Sequence, residues 1–369
     1  MNILTLSNYY PEHAGGIEFV ALNLVQRWRR CHTVRWMACD VAGYPHHTVR
    51  DDVPLPTLNF AEECLGFPYP LPLGRSVFEI FEQVKWCDVV HVHDCLYLAN
   101  HFAFLASRWY RKPLLVTQHV ALVSYSQAYK NTLQKLAYHT LGRLVLRNAE
   151  GVIFISKRVE DWFAARMRFR HSTALIPNGV DHSLFYSSTP DERENARAQL
   201  GFSADVVVLL FVGRFTQKKG VHLLREMAVA RPRYRWLMVG RGEMDPREWN
   251  LPNVKVIPPQ PQAALRLYYI AADLFVLPSV GEGFPLAVQE SLSCGLPAAV
   301  SSETAAYLPD APLAILDVFD PCAMLQTLDN LFTARECLAA LRDAAGEYAG
   351  RWDWETVAKE YEKILVRLL

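Results

Sequence analysis

Short apolar runs alternate with segments of helical period along almost the whole chain, and that alternation leaves few folds open. In the first half the runs are Ile3 to Leu6, Thr33 to Ala38, Val89 to Val92, Leu114 to Thr117 and Val152 to Ile155. In the second they are Val206 to Val212, Trp236 to Val239, Val254 to Ile257, Leu274 to Leu277 and Ala298 to Val300. Strands buried on both faces read as unbroken apolar runs, so each set predicts one parallel sheet covered by helices. The break falls near Pro177-Asn178-Gly179-Val180-Asp181, followed by the polar Ser187-Ser188-Thr189-Pro190 and a charged helix, Asp191 to Leu200. A chain of 369 residues has room for two domains. The economical architecture is α/β, with doubly wound Rossmann-like domains at 1–180 and 181–351 and an amphipathic helix at 352–369. Residues 44 to 75, rich in proline and poor in periodicity, read as a long excursion at the domain edge.

Composition narrows the partners. The 38 basic and 38 acidic side chains cancel overall. Residues 1–180 carry 19 basic against 14 acidic, however, and residues 181–369 carry 19 against 24. Between Phe102 and Arg170 twelve Lys or Arg face only Glu150, Glu160 and Asp161, a candidate contact for something anionic. Within it, Leu133 to Leu146 interleaves Lys135 and Arg143 with Leu133, Leu136, Tyr138, Leu141, Leu144 and Val145, and Arg147 follows at once. A helix there would offer an apolar stripe flanked by cations, the pattern of a surface lying on anionic lipid. The eight cysteines lack a Cys-x-x-Cys pair and read as reduced core thiols of a cytoplasmic protein. The N-terminus does not look like a signal peptide, and no apolar run approaches the roughly 20 residues that span a bilayer. The basic residues show no aromatic interleaving on a recognisable module, which argues against a nucleic-acid partner.

Several chemistries lack their local signs. There is no Gly-x-x-x-x-Gly-Lys-Ser/Thr, Gly-x-Ser-x-Gly, His-Glu-x-x-His or Asp-x-Asp. Gly240-Arg241-Gly242-Glu243 starts like a dinucleotide fingerprint but lacks the third glycine. His46-His47 and the pair His91 and His93 have no supporting ligand spacing, so neither metal nor cofactor is expected.

Three junctions remain. Gly15-Gly16 follow the first strand and open a helix, where free amides favour an anion. Gly213-Arg214-Phe215-Thr216-Gln217-Lys218-Lys219-Gly220 puts cations at the carboxyl end of a strand, the edge where open α/β sheets bind ligands. Arg214 has a fork suited to phosphate oxygens and Lys219 adds a point charge. Pro278-Ser279-Val280-Gly281-Glu282-Gly283-Phe284-Pro285 leads into a helix through Glu290, with Pro285 expected at its first position and Leu286 after it. Glu290 suits a pair of ribose hydroxyls behind a phosphate site, while Glu282 would point beyond the phosphates.

These elements, with His119 after Leu114 to Thr117, Asn178-Gly179-Val180-Asp181 and Glu282-x7-Glu290, resemble in order and spacing the retaining glycosyltransferases of the GT-B fold, family four. The resemblance covers nearly the full chain. It implies two domains facing a cleft, with the terminal helix around Trp352-Asp353-Trp354 crossing back onto the N-terminal domain. It implies further that Arg214 and Lys219 hold a donor diphosphate with amides of Gly15 and Gly16, and that Glu290 binds the ribose. Glu282, Gly283, Phe284, Pro285 and Leu286 would line the sugar site, with His119 near the transferred sugar. Asn178 to Asp181 would lie on the hinge side. The chain departs from the family's common pattern at Ser301-Ser302-Glu303-Thr304-Ala305-Ala306, where a Gly-Gly turn is frequent, and at Pro258-Pro259-Gln260, which blurs donor identity. The expected activity is metal-independent, retaining transfer of a sugar from a nucleoside diphosphate sugar, UDP before GDP, to a glycan or lipid-linked acceptor. It would take place in the cytoplasm or at the inner face of the membrane. The alternatives are a nucleotide-sugar epimerase of the same fold and a catalytically inactive nucleotide-sugar-binding protein.

Overall fold

Residues 1–13, 16–40, 51–59, 69–72, 74–122, 128–280, 285–306, 308 and 310–369 are described by the computed structural model of the chain. They form two units, Met1–Gly179 with Trp354–Leu369, and Val180–Asp353. In the first, β1 (Asn2–Tyr9), β2 (Thr33–Asp40), β3 (Asp52–Leu58), β4 (Leu71–Pro72), β5 (Val89–His93), β6 (Leu114–Gln118), β7 (Gly151–Phe154) and β8 (Thr173–Leu175) make one sheet, ordered β4-β3-β2-β1-β5-β6-β7-β8. All pairs are parallel except β3 with β4. In the second, β9 (Val208–Val212), β10 (Arg235–Val239), β11 (Val254–Ile257), β12 (Leu274–Leu277), β13 (Ala298–Ser301) and β14 (Leu313–Leu316) make an all-parallel sheet ordered β11-β10-β9-β12-β13-β14.

The unbroken apolar runs follow from helices on both faces. Leu4, Leu6, Val90, Val92, Leu114, Val116, Val152 and Phe154 pack into one buried cluster, while Ile3, Val34, Trp36, Val89, Leu115 and Ile153 pack into another. Alternate residues of one strand thus feed opposite layers.

Part of the expected excursion at 44–75 is ordered sheet. Asp52–Leu58 pairs parallel with β2 from Trp36↔Asp52 to Asp40↔Pro56. Pro54 and Pro56 are two apart, so both missing donors fall on one edge and the donors of Val53 and Leu55 serve the other. The thiols also differ from expectation: Cys39, Cys87, Cys95 and Cys294 are buried, but Cys31, Cys322 and Cys337 are exposed. Each of these three lies on a turn or a partly solvated helix, where a small side chain contributes little to a core.

The terminal helix, Trp354–Leu368, belongs to the first unit. It buries Trp354, Val357, Ala358, Tyr361 and Leu365 against Val20, Leu24 and Trp28 of the helix Gly16–Trp28. The Trp28 indole donates to the Ala358 carbonyl at 3.2 Å. Trp354 also covers Gly179, where a Cβ would come within 2.5 Å of the indole. Glycine is required there by the close approach itself. Replacing Trp354 by Ala is expected to cost about 3–5 kcal/mol, the usual loss for a buried Trp. A denaturant midpoint unchanged from wild type would contradict this packing role.

Candidate active site

Both sheets reverse their winding at one place, and a crevice beyond the strand ends at such a switch point is where open α/β sheets take ligands. In the first sheet the reversal lies between β1 and β5, in the second between β9 and β12.

In the first unit, Gly16 opens the helix Gly16–Trp28 after β1 and is exposed. Gly15 lies outside the described residues. β5 ends in His91-Val92-His93, Asp94 comes next, and His119 follows β6. His93 and His119 are stacked, with ring centroids 5.2 Å apart, and His93 Nδ1 lies 2.9 Å from His119 Nε2. His91 meets Thr117 Oγ1 through Nε2 at 2.9 Å. Burial pushes His91 and His119 down to about 3, and lowers His93 well below its ordinary value, so all three rings are neutral at physiological pH.

Asp94, which sequence reasoning missed, sits beside them. Its backbone is left-handed, φ 71°, an uncommon conformation for a residue with a side chain. Its carboxyl accepts from the Gln118 amide at 2.9 Å and from the Leu96 backbone at 3.2 Å. Burial raises it to about 7 against those hydrogen bonds. Asn100 holds the turn by donating to the carbonyls of His93 and Asp94, both at 2.8 Å. The signal was present as His-x-His-Asp at a strand's end, of which the sequence reading weighed only the pair His91 and His93. No metal-ligand cluster occurs among the described residues, and His46-His47 lie outside them.

In the second unit, Arg214 follows β9 and is exposed, with no hydrogen bond or ion pair of its guanidinium among the described residues. Lys219 closes the 3-10 turn Gln217–Lys219. Gly220 then turns the chain into the helix Val221–Ala230 at φ 75°, where a Cβ would meet the Pro278 carbonyl at 2.3 Å. The Val280 amide donates to the Lys218 carbonyl at 3.0 Å. The cationic loop is therefore tied directly to the loop after β12, across the switch point.

Glu282, Gly283 and Phe284 lie outside the described residues. Pro285 is the N-cap of the helix Leu286–Ser293 rather than its first residue, with extended ψ of 98°. Its carbonyl accepts from Val288 and Gln289, so Leu286, half-buried, takes the first helical position. Glu290 lies one turn in and is buried. Its carboxyl accepts from the Tyr269 hydroxyl at 2.8 Å and from Gln262 at 3.4 Å. Burial raises it to about 7, against the lowering effect of those two bonds. Tyr269 lies on the helix Gln262–Ala271 and is fully buried. Where a Gly-Gly turn was a possibility, Ser301 caps the short helix Ser302–Ala305 by accepting from the Thr304 amide at 3.1 Å, and its hydroxyl donates to the Ser279 carbonyl at 2.6 Å.

With this geometry in place, the comparisons with known proteins are specific. Residues 14–184 match the Glycosyltransferase Family 4 profile, and residues 192–307 match Glycosyl transferases group 1. A D-inositol 3-phosphate glycosyltransferase from Thermobispora bispora is 29% identical over 315 residues, covering 76% of this chain and 71% of that protein. One from Segniliparus rotundus is 33% identical over 202 residues, covering 50% of this chain and only 44% of that protein. Among solved structures, sucrose-phosphate synthase from Thermosynechococcus elongatus superposes with a TM-score of 0.81 at 20% identity, covering 100% of this chain and 99% of that one. HepE from Anabaena, in complex with UDP and glucose, superposes with a TM-score of 0.79 at 18% identity over 100% of both chains. The two matched segments and the two doubly wound sheets converge: the chain belongs to family four of the glycosyltransferases of the GT-B fold.

Proposed function

We propose that this glycosyltransferase moves a sugar from a nucleoside diphosphate sugar, UDP in preference to GDP, to a hydroxyl of a glycan or lipid-linked acceptor, with retention at the anomeric carbon and without a metal. The observation that carries the donor half is the pairing of the Arg214–Lys219 loop with the loop after β12 at the switch point, with Glu290 one turn into the helix Leu286–Ser293. Negative charge grows on the leaving diphosphate as the glycosidic bond stretches. Arg214 and Lys219 would meet it, and Glu290 would accept the ribose hydroxyls. Glu282 with the amides of Gly283 and Phe284 would hold the sugar, Pro285 and Leu286 would shape the helix start beneath it, and Gly15 and Gly16 would add amides from the first unit. A neutral His119 would serve the transferred sugar as a hydrogen-bonding group. UDP is favoured because a neighbour in fold, HepE, is known with UDP-glucose.

A thermal-shift screen of UDP, GDP, ADP and their glucose conjugates tests the donor, since a ligand bound only by the native state raises its stability. UDP and UDP-glucose should raise the melting temperature in a saturable way, and turnover of UDP-glucose should need an acceptor and persist in EDTA. No shift with any nucleotide would overturn the donor reading. Metal-restorable loss in EDTA would overturn metal independence, and product from donor alone would point to epimerisation.

The acceptor half is read from the helix that runs through Ala128–Ala137, a π turn at Tyr138–Gly142 and Arg143–Asn148. Tyr138 and Val145 face the core rather than the expected stripe, because Tyr138 is packed against Trp162 and Phe163. Leu133, Leu136, Leu141 and Leu144 are exposed, beside exposed Lys135, Arg143 and Arg147. Arg108 pairs with Glu150 at 2.6 Å, which sets the end of the helix Leu98–Tyr110, with its exposed Leu105 and Trp109, beside the end of this one. Cations around exposed leucines suit an anionic lipid surface and hence a lipid-linked acceptor. Vesicles with about a third anionic lipid should sediment the protein, less so in added salt, which screens surface charges beyond roughly 10 Å at 0.1 M. Lys135→Glu, Arg143→Glu and Arg147→Glu together should abolish binding. Salt-insensitive or absent binding would favour a soluble acceptor.

A further inference from the structure

The proposed transfer uses His119 and leaves unexplained why two more histidines are buried beside it. We propose that His93 is a positioning residue for His119: its Nδ1–H donates to His119 Nε2 and so holds His119 in the tautomer whose proton sits on Nδ1, the nitrogen left to meet a substrate oxygen.

The direction of the proton follows from which atoms lack partners. Among the described residues, His93 Nε2 and His91 Nδ1 are both buried without a hydrogen bond. Were His119 the donor to His93 Nδ1, the His93 proton would sit on Nε2 as a buried N–H with no acceptor. Orphaned N–H groups are rarer than bare lone pairs, so the proton belongs on His93 Nδ1 and His119 accepts. The same rule orders the other side of the cluster. Thr117 Oγ1 donates to the Tyr361 hydroxyl at 3.4 Å and accepts from His91 Nε2–H, leaving His91 Nδ1 as a lone pair. The same rule therefore places the shared proton in both pairs, on His91 Nε2 towards Thr117 and on His93 Nδ1 towards His119. The frame is rigid: Asn100 clamps the His93 carbonyl at 2.8 Å, His91 packs edge-on to His93 at 4.5 Å, and His93 stacks on His119. His119 consequently offers a substrate an N–H donor and no lone pair. This suits an oxygen that gains charge in the transition state and does not suit a base that removes a proton.

The test is a long-range ¹H–¹⁵N correlation spectrum of the full chain with ¹⁵N-histidine, assigned with His119→Asn. In the wild type the protonated nitrogen of His119 should be Nδ1. His93→Leu should move the proton to Nε2, and His93→Asn, whose amide can donate from nearly the same place, should keep it on Nδ1. In UDP-glucose turnover, His93→Leu should lower kcat at least about tenfold, within the range of a displaced hydrogen-bonding catalyst, with KM for donor little changed. His93→Asn should restore most of it. If His93→Leu does not fold, the wild-type and His93→Asn spectra still decide. A proton on His119 Nε2 in the wild type overturns the proposal, as does an unchanged tautomer in a folded His93→Leu. The kinetic readout rests on the proposed transfer and the tautomer does not. A wild type inert towards UDP-glucose but protonated on His119 Nδ1 would count against the donor reading and leave the role of His93 standing.

Discussion

Turnover in an Arg214→Ala variant is expected to fall at least about a hundredfold, the scale of removing one preorganised electrostatic group, while the melting temperature of the unliganded protein stays near that of wild type. Both halves follow from position. The guanidinium is exposed and makes no hydrogen bond or ion pair among the described residues, so its loss opens no cavity and strands no buried partner. Its backbone is held independently: the Thr216 amide donates to the Arg214 carbonyl at 3.0 Å, and the Phe215 amide to the Arg241 carbonyl at 2.8 Å. The loop should therefore keep its shape without the side chain. A lysine at 214 should recover only part of the rate, since a point charge cannot replace two parallel N–H bonds to a phosphate. Steady-state kinetics beside a thermal melt check the pair of expectations. A folded Arg214→Ala enzyme with ordinary turnover would remove the diphosphate role, whereas a large fall in melting temperature would show that the loop is structural.

Sequence and structure agree best where one physical cause acts alone. β1, β5, β6, β9, β10 and β12 are covered on both faces, so apolar residues dominate them and the run announces the strand, the polar exceptions such as His91, His93 and Thr117 being hydrogen-bonded. The strands that escaped notice lie at or near sheet edges. β8 has three residues, none buried, and β14 alternates, with Ala314 and Leu316 buried but Ile315 exposed. β3 carries two prolines that a central strand would refuse. The site divides in the same way. Arg214 and Lys219 stand out in sequence as charges at the end of an apolar run. His93, Asp94 and Tyr269 take their meaning from partners 26, 24 and 21 residues away. Those partners are fixed by sheet order, since β5 lies between β1 and β6 only once the winding is known.

Binding of UDP should strengthen as pH rises through about 7, and a Glu290→Gln substitution should both weaken it and flatten that dependence. In the unliganded protein burial raises the Glu290 carboxyl from an ordinary carboxylate value to about 7. Ribose hydroxyls donate hydrogen bonds to it and so favour the charged form, which lowers the value on binding. Below about 7 the nucleotide must then expel a proton, and affinity drops accordingly; above it, affinity levels off. Unliganded stability moves the other way. A carboxyl whose folded value lies above its unfolded one binds more protons when folded, so its contribution declines between the unfolded value and about 7 as pH rises. Asp94, also raised to about 7, gives the same slope from the first unit, but only the Glu290 share disappears in Glu290→Gln. Loss of charge-assisted hydrogen bonds of about 1.5–3 kcal/mol corresponds to roughly 10–150-fold in affinity. Titration calorimetry of UDP at pH 6 and pH 8, in two buffers of different ionisation enthalpy, reads the affinity and the released proton together. 2′-Deoxy-UDP is the control, since it offers one hydroxyl fewer and should lose less on Glu290→Gln. Equal losses for UDP and 2′-deoxy-UDP, or a pH dependence that survives the substitution, would take the ribose away from Glu290.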